Sequence, residues 1–153
     1  MRIAIGADHG GYTLKKDIMD FLKGNNYKVK DFGTFGLKRC DYPPIGYKVA
    51  SEIAAGRFER GILICKTGLG MSIVANKVPG VRAALLHDVE SARSSRRHND
   101  ANIAVFSGTS INKNKAKEIL KVWLAIEFIG GRHSRRIRQI EKIEENIKFK
   151  RKK

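Results

Sequence analysis

The chain has 153 residues, 42% hydrophobic and 30% charged, and 31 lysines and arginines against 15 aspartates and glutamates give it a formal charge of +16. That length and balance suit one globular domain with a full core and exclude a chain disordered throughout. No apolar run approaches the roughly 20 residues of a membrane-spanning helix, the start MRIAIGADHGG lacks a signal-peptide core, and Cys40 and Cys65 supply neither a disulfide framework nor zinc-ligand spacing, so a reduced, cytoplasmic protein is expected.

Strand-like and helix-like segments alternate from end to end. Residues 2–7 form a short apolar strand, and 12–23 follow with helical spacing of Leu14, Ile18, Phe21 and Leu22. Gly24, Asn25 and Asn26 stop that helix before an alternating strand over 27–31. Pro43 and Pro44 suit the start of a helix reaching about Ala55. The run Gly61-Ile-Leu-Ile-Cys65 is wholly apolar, as a central parallel strand covered on both faces requires. A glycine-rich turn, Lys66-Thr-Gly-Leu-Gly70, leads into a helix over 71–77. Further strands are expected over 81–86 and 102–106, with a helix from Asp88 to about Arg97 between them. Amphipathic helices over 115–128 and 132–147 complete the chain, the latter with Ile137, Ile140, Ile143 and Ile147 on one stripe.

Five such alternations predict a single-domain, Rossmann-like α/β three-layer sandwich, with a five-stranded parallel sheet and helices on both faces. Ligands of such sheets bind beyond the carboxyl ends of the strands. That rule selects Asp8-His9-Gly10-Gly11, the 65–70 segment and Ser107-Gly108-Thr109; it leaves the place of Arg96-Arg97-His98-Asn99-Asp100 open.

The sequence pI of about 10.2 raises a nucleic-acid binder as one reading. The distribution of charge argues against it. Residues 132–153 hold ten basic and three acidic side chains, +7 of the +16, and the last six read as a basic tail without a packing pattern. The rest is spread over helix faces, and no aromatics interleave with basic residues to stack bases.

Cys65 ends an apolar strand before a glycine turn and beside Lys66; a thiol there is favoured as thiolate, able to act as nucleophile or general base. A small buried strand-end residue is the plain alternative. The turn could hold an anion on its N–H groups, but it is neither a Walker A motif nor a dinucleotide fingerprint. Asp8-His9 offers a carboxylate and an imidazole at the ligand edge, but alone it reads first as a turn or capping device, and His98-Asn99-Asp100 alone reads first as a helix end with a polar tail. Arg132 and Arg136, four apart on one helix face, suit a grip on phosphate or a solvated basic face. Cys40 shows no partner.

In combination the motifs resemble ribose-5-phosphate isomerase type B, in the wider group with galactose-6-phosphate isomerase subunits. The resemblance rests on Ile5-Gly-Ala-Asp-His-Gly-Gly11, Asp41-Tyr-Pro43, Gly61–Cys65, Thr67-Gly-Leu-Gly-Met-Ser72, Ala75-Asn-Lys77, Arg97-His-Asn-Asp-Ala-Asn102 and Gly130-Gly-Arg-His133. It implies a cofactor-independent, metal-free interconversion of ribose 5-phosphate and ribulose 5-phosphate through an enediolate, in the pentose phosphate pathway. Cys65 is then the base, His98 opens the furanose ring, and Asp8 shuttles protons. Thr67 and the turn Lys66, Gly68, Leu69 and Gly70 stabilise the enediolate. His9, Arg132 and Arg136 hold phosphate, and Tyr42 and Asn99 contact the sugar. It also implies a homodimer or a dimer of dimers with shared sites, an isomerase domain over 1–147 and a tail over 148–153.

Two positions depart from the family. Lys66 stands where glycine is usual: a backbone in the left-handed region would strain it, and otherwise its ammonium could favour the thiolate or meet an anionic ligand. Thr109 stands where many members carry an arginine of the phosphate clamp. The alternatives are a 6-phosphohexose isomerase, for allose or galactose 6-phosphate, and a non-catalytic phosphate- or nucleic-acid-binding relative.

Overall fold

The computed structural model describes residues 1–150, and the side chains of 1–147. Five strands, β1 (Arg2–Ala7), β2 (Lys28–Asp31), β3 (Arg60–Cys65), β4 (Ala83–Leu85) and β5 (Ile103–Ser107), form one parallel sheet in the order β2-β1-β3-β5-β4. The helices are α1 (Tyr12–Gly24), α2 (Tyr42–Ala54), α3 (Leu69–Ala75), α4 (Val89–Asn99), α5 (Lys113–Ala125) and α6 (Arg132–Lys150).

The central strands β1, β3 and β5 are buried almost end to end because both faces are covered. Alternate residues feed two cores. Ile3, Ile5, Ile62, Ile64 and Phe106 pack under α1 and α5 with Leu14, Ile18, Ile119 and Trp123. Ala4, Leu63, Cys65, Ile103 and Val105 pack under α2 and α3 with Val49, Ile53, Met71 and Ala75. The expected three-layer sandwich is therefore present.

Local chemistry sets the element ends. Asp88 caps α4 by accepting the Ser91 N–H at 2.7 Å, while Ser91 Oγ accepts the Asp88 N–H at 3.1 Å. Asn112 accepts the Lys115 N–H at 3.0 Å to cap α5. Expected boundaries moved where side chains intervened. β4 begins at Ala83, not Val81, because the Arg82 N–H is taken by Asn102 Oδ1 at 2.8 Å. α4 runs two residues past Arg97 and ends on Asp100 in the left-handed region, φ 46°. α5 stops at Ala125, before extended Ile126, whose carbonyl accepts Arg96 Nε at 3.2 Å. α6 continues to Lys150, so the first three residues of the expected 148–153 tail are helical, and residues 151–153 lie outside the described part.

Chain direction decides what each edge of the sheet can carry. The strands all point one way, so the turns after β1, β3 and β5 share the carboxyl edge, with Cys65 in register beside Ser107. Each crossover helix returns to the amino edge. The end of α4 accordingly lies by the start of β4, where Arg82 Nε donates to the carbonyls of Asn99 at 3.0 Å and Asp100 at 3.1 Å.

Candidate active site

Cys65 is the last residue of β3 and only 4% exposed. Its Sγ accepts the Gly68 N–H at 3.1 Å, a donor that gives negative charge on sulfur a partner. Gly68 has φ +80°, and a Cβ there would lie 2.4 Å from Leu85 Cδ1, so this turn needs glycine. Thr67 is exposed in the same turn, its Oγ1 accepting the Leu69 N–H at 3.3 Å. Lys66 lies outside the left-handed region, where among the described residues only Asn26 and Asp100 of the non-glycines are found, so the lysine is unstrained. Its carbonyl accepts Ser107 Oγ at 2.9 Å and Thr109 Oγ1 at 2.8 Å.

The turn after β1 lies alongside. The buried Asp8 donates its N–H to the Ile64 carbonyl at 3.2 Å and accepts the Gly11 N–H on Oδ1 at 3.1 Å. His9 Nδ1 faces the Cys40 main chain, 3.2 Å from its oxygen and 3.3 Å from its nitrogen, which leaves Nε2 for a ligand. The Tyr42 ring lies over Gly70, where a Cβ would come within 2.6 Å of Tyr42 Cζ. Asp8, His9, Tyr42 and the 65–70 turn thus meet at the carboxyl edge.

The remaining expected residues form a second group. His98 at the end of α4 stacks on His133 at the start of α6, with centroids 4.4 Å apart and planes 14° apart. Gly130 and Gly131, at φ +68° and +58°, turn the chain into α6, and the Ile129 N–H ties that turn to the Arg97 carbonyl at 3.2 Å. Arg132 and Arg136 are exposed beside the pair, and Arg132 Nε is 3.5 Å from His133 Nε2. Burial first, then the positive charge of His98, Arg132 and Arg136, holds the His133 pKa below its ordinary 6.5. Asp100 braces this corner by accepting from Arg82 at 2.9 Å and Arg96 at 2.7 Å.

The two groups stand at opposite edges of one sheet. Six residues of β3, at about 3.3 Å each, put those edges roughly 17 Å apart. Within one chain the structure therefore does not bring His98, Asn99, Arg132 and Arg136 to Cys65. Sequence reading missed two participants. His133 carried no role there, although the arginines at i−1 and i+3, Arg132 and Arg136, were visible around it. Cys40 read as incidental, but its main chain holds His9. Among the described residues, no cluster of three or more His, Cys, Asp or Glu is arranged to hold a metal ion, and no helix is long and apolar enough to cross a membrane.

The chain is similar to known proteins over nearly its whole length. The sequence pattern of the Ribose/Galactose Isomerase family matches residues 3–140. Ribose-5-phosphate isomerase B of Escherichia coli is 42% identical over 144 residues, 94% of this chain and 97% of that protein. D-erythrulose-4-phosphate isomerase of Pectobacterium atrosepticum is 40% identical over 141 residues, 92% of this chain and 93% of that one. The structure of ribose-5-phosphate isomerase B from Clostridium thermocellum superimposes with a TM-score of 0.95 at 51% identity, covering 96% of this chain and 99% of its own.

Proposed function

The chain belongs to the ribose/galactose isomerase family, and from that membership we propose that it interconverts ribose 5-phosphate and ribulose 5-phosphate, as an enzyme of the pentose phosphate pathway in the cytoplasm. The observation that carries the reading is the Cys65 thiol, held by the Gly68 N–H at the carboxyl edge of the sheet, the edge that also carries Asp8, His9 and Thr67.

Cys65, as thiolate, takes the proton from C2 of the open-chain aldose, and the electron pair moves into a cis-enediolate. The same thiol returns the proton to C1, while the sugar oxygens exchange one proton through Asp8, so atoms and charge balance over the cycle. Thr67 and the main-chain N–H groups of the 66–70 turn face the negative charge as it develops. His98 assists ring opening, Tyr42 and Asn99 contact the sugar, and His9, Arg132 and Arg136 bind the phosphate. Holding that remote group supplies orientation for the reacting carbons.

These roles need both edges at once, so the working unit is a homodimer, alone or paired into a tetramer. One protomer supplies the thiol half and its partner the His98–Arg136 half. Support comes from the α6 stripe, where Ile140, Ile143 and Ile147 remain 41%, 58% and 49% exposed. A helix with such a face wants an apolar cover.

A second sugar is the competing reading. The relative at 40% identity that acts on a four-carbon phosphosugar, together with Lys66 and Thr109, favours examining other aldose phosphates, the 6-phosphohexoses included. Comparing kcat/KM for ribose 5-phosphate, allose 6-phosphate, galactose 6-phosphate and erythrulose 4-phosphate separates them. Preference for ribose 5-phosphate supports the proposal; preference for another sugar, or no turnover of any, refutes it.

A further inference from the structure

We propose that Lys66 is a phosphate-binding residue, supplied by the same protomer as the Cys65 thiol; the isomerase reading above is needed only for the identity of the molecule that carries the phosphate. β3, which Lys66 follows, lies between β1 and β5, and the strand order reverses at the β1–β3 boundary, where parallel sheets open a ligand crevice. The main chain of Lys66 is anchored by three donors on its carbonyl: Ser107 Oγ at 2.9 Å, Thr109 Oγ1 at 2.8 Å and the Thr109 N–H at 3.2 Å. The direction in which the side chain leaves is therefore set by the end of β5.

That direction is toward the turn carrying His9. A Cβ built on Gly10 would lie 3.0 Å from Lys66 Cβ and 3.1 Å from its nitrogen, so the root of the lysine rests on the residue after His9. His9 has Nδ1 engaged with Cys40 and Nε2 left to a ligand. An imidazole and an ammonium thus rise from touching turns. Cys65, by contrast, packs under α2 and α3 with Met71 and Val49. Lys66, the first residue past β3, instead has its Cβ against Gly10 in the turn after β1.

The charge is also unspent. Lys66 is exposed, and among the described residues no carboxylate pairs with it. Lys15 and Lys48 differ, being bound to Asp31 at 2.6 Å and Glu52 at 3.4 Å. Asp8, in the adjoining turn, spends an oxygen on the Gly11 N–H. A flexible lysine beside an imidazole at a crevice mouth, with no internal partner, suits a phosphate dianion as a point charge.

The test measures binding of inorganic phosphate by titration calorimetry, and kcat and KM for ribose 5-phosphate, in the parent, Lys66→Gln and Lys66→Arg. Loss of one charge-assisted contact should weaken phosphate and raise KM about tenfold in Lys66→Gln, with kcat within about twofold, while Lys66→Arg stays near the parent. Unchanged phosphate affinity in Lys66→Gln overturns the proposal. So does a fall in kcat with a shifted pH profile and an intact KM, which would assign Lys66 to the thiol. The two readings fail separately: a parent that binds phosphate in a Lys66-dependent way yet turns over no aldose phosphate refutes the isomerase, not the lysine.

Discussion

Gly68 donates its backbone N–H to Cys65 Sγ at 3.1 Å, so the sulfur proposed to move the proton is held by a turn with a left-handed glycine at its centre. Gly68→Ala places a methyl 2.4 Å from Leu85 Cδ1 and 3.2 Å from the Phe106 carbonyl, in a backbone region costly for any side chain. The variant is expected to fold less stably and to lose kcat with the Gly68 N–H displaced from sulfur. Thermal melts and isomerase kinetics on the same sample check both effects.

Cys65→Ser keeps the shape and replaces the proposed base. A serine hydroxyl is a far weaker acid than a thiol, so kcat should fall by about 10²–10⁴-fold, the usual weight of general acid–base catalysis. Tm should stay close to that of the parent, and a serine variant with parental kcat would remove Cys65 as the base.

Gly70→Ala tests the seat of Tyr42. The added methyl meets the ring at 2.6 Å, and the exposed ring can only swing away from the turn. We expect KM for the sugar phosphate to rise several-fold while fold stability changes little, because the yielding group is a surface side chain. Tyr42→Phe, which keeps the ring in place, should affect KM less if packing rather than the hydroxyl positions the sugar.

The His98–His133 stack predicts a pH effect on stability. His133 has a folded pKa below its ordinary 6.5, so the native state binds fewer protons than the unfolded state as pH falls below that value. Its contribution is complete above the ordinary pKa and is lost progressively below it. Tm should therefore drop between about pH 7.5 and pH 5.5, and the drop should be smaller in His133→Asn, where the titrating group is gone. Equal slopes in both proteins would contradict the electrostatic account.

Much of the fold could be read before any coordinates. Apolar runs such as Ile62-Leu63-Ile64 can only be covered strands, and their alternation with amphipathic stretches leaves few arrangements. The meeting of Cys65, Asp8 and His9 at one edge was readable because the carboxyl-edge rule depends only on topology. The other half was not placed, for physical reasons. His98 and Asn99 stay helical only because Asp100 tolerates the left-handed cap while bridging Arg82 and Arg96, a tertiary arrangement invisible to local pattern. The stacking of His98 on His133 joins residues 35 apart in the chain. The hold of Cys40 on His9 is made by main chain, on which residue type says nothing. Of the two alternatives open at Lys66, a strained left-handed backbone is not the one found, since the positive φ of that turn falls on Gly68.

The central claim is that one site is assembled from the Cys65 edge of one protomer and the Arg132 edge of another. Mixing two inactive variants, Cys65→Ala and Arg132→Ala, after gentle dissociation and reassociation tests it. Random pairing makes half of the dimers mixed, each with one intact site, so about a quarter of the parental activity should return. Activity that stays at the level of the separate variants, with mixed dimers present by mass spectrometry, would contradict the shared site.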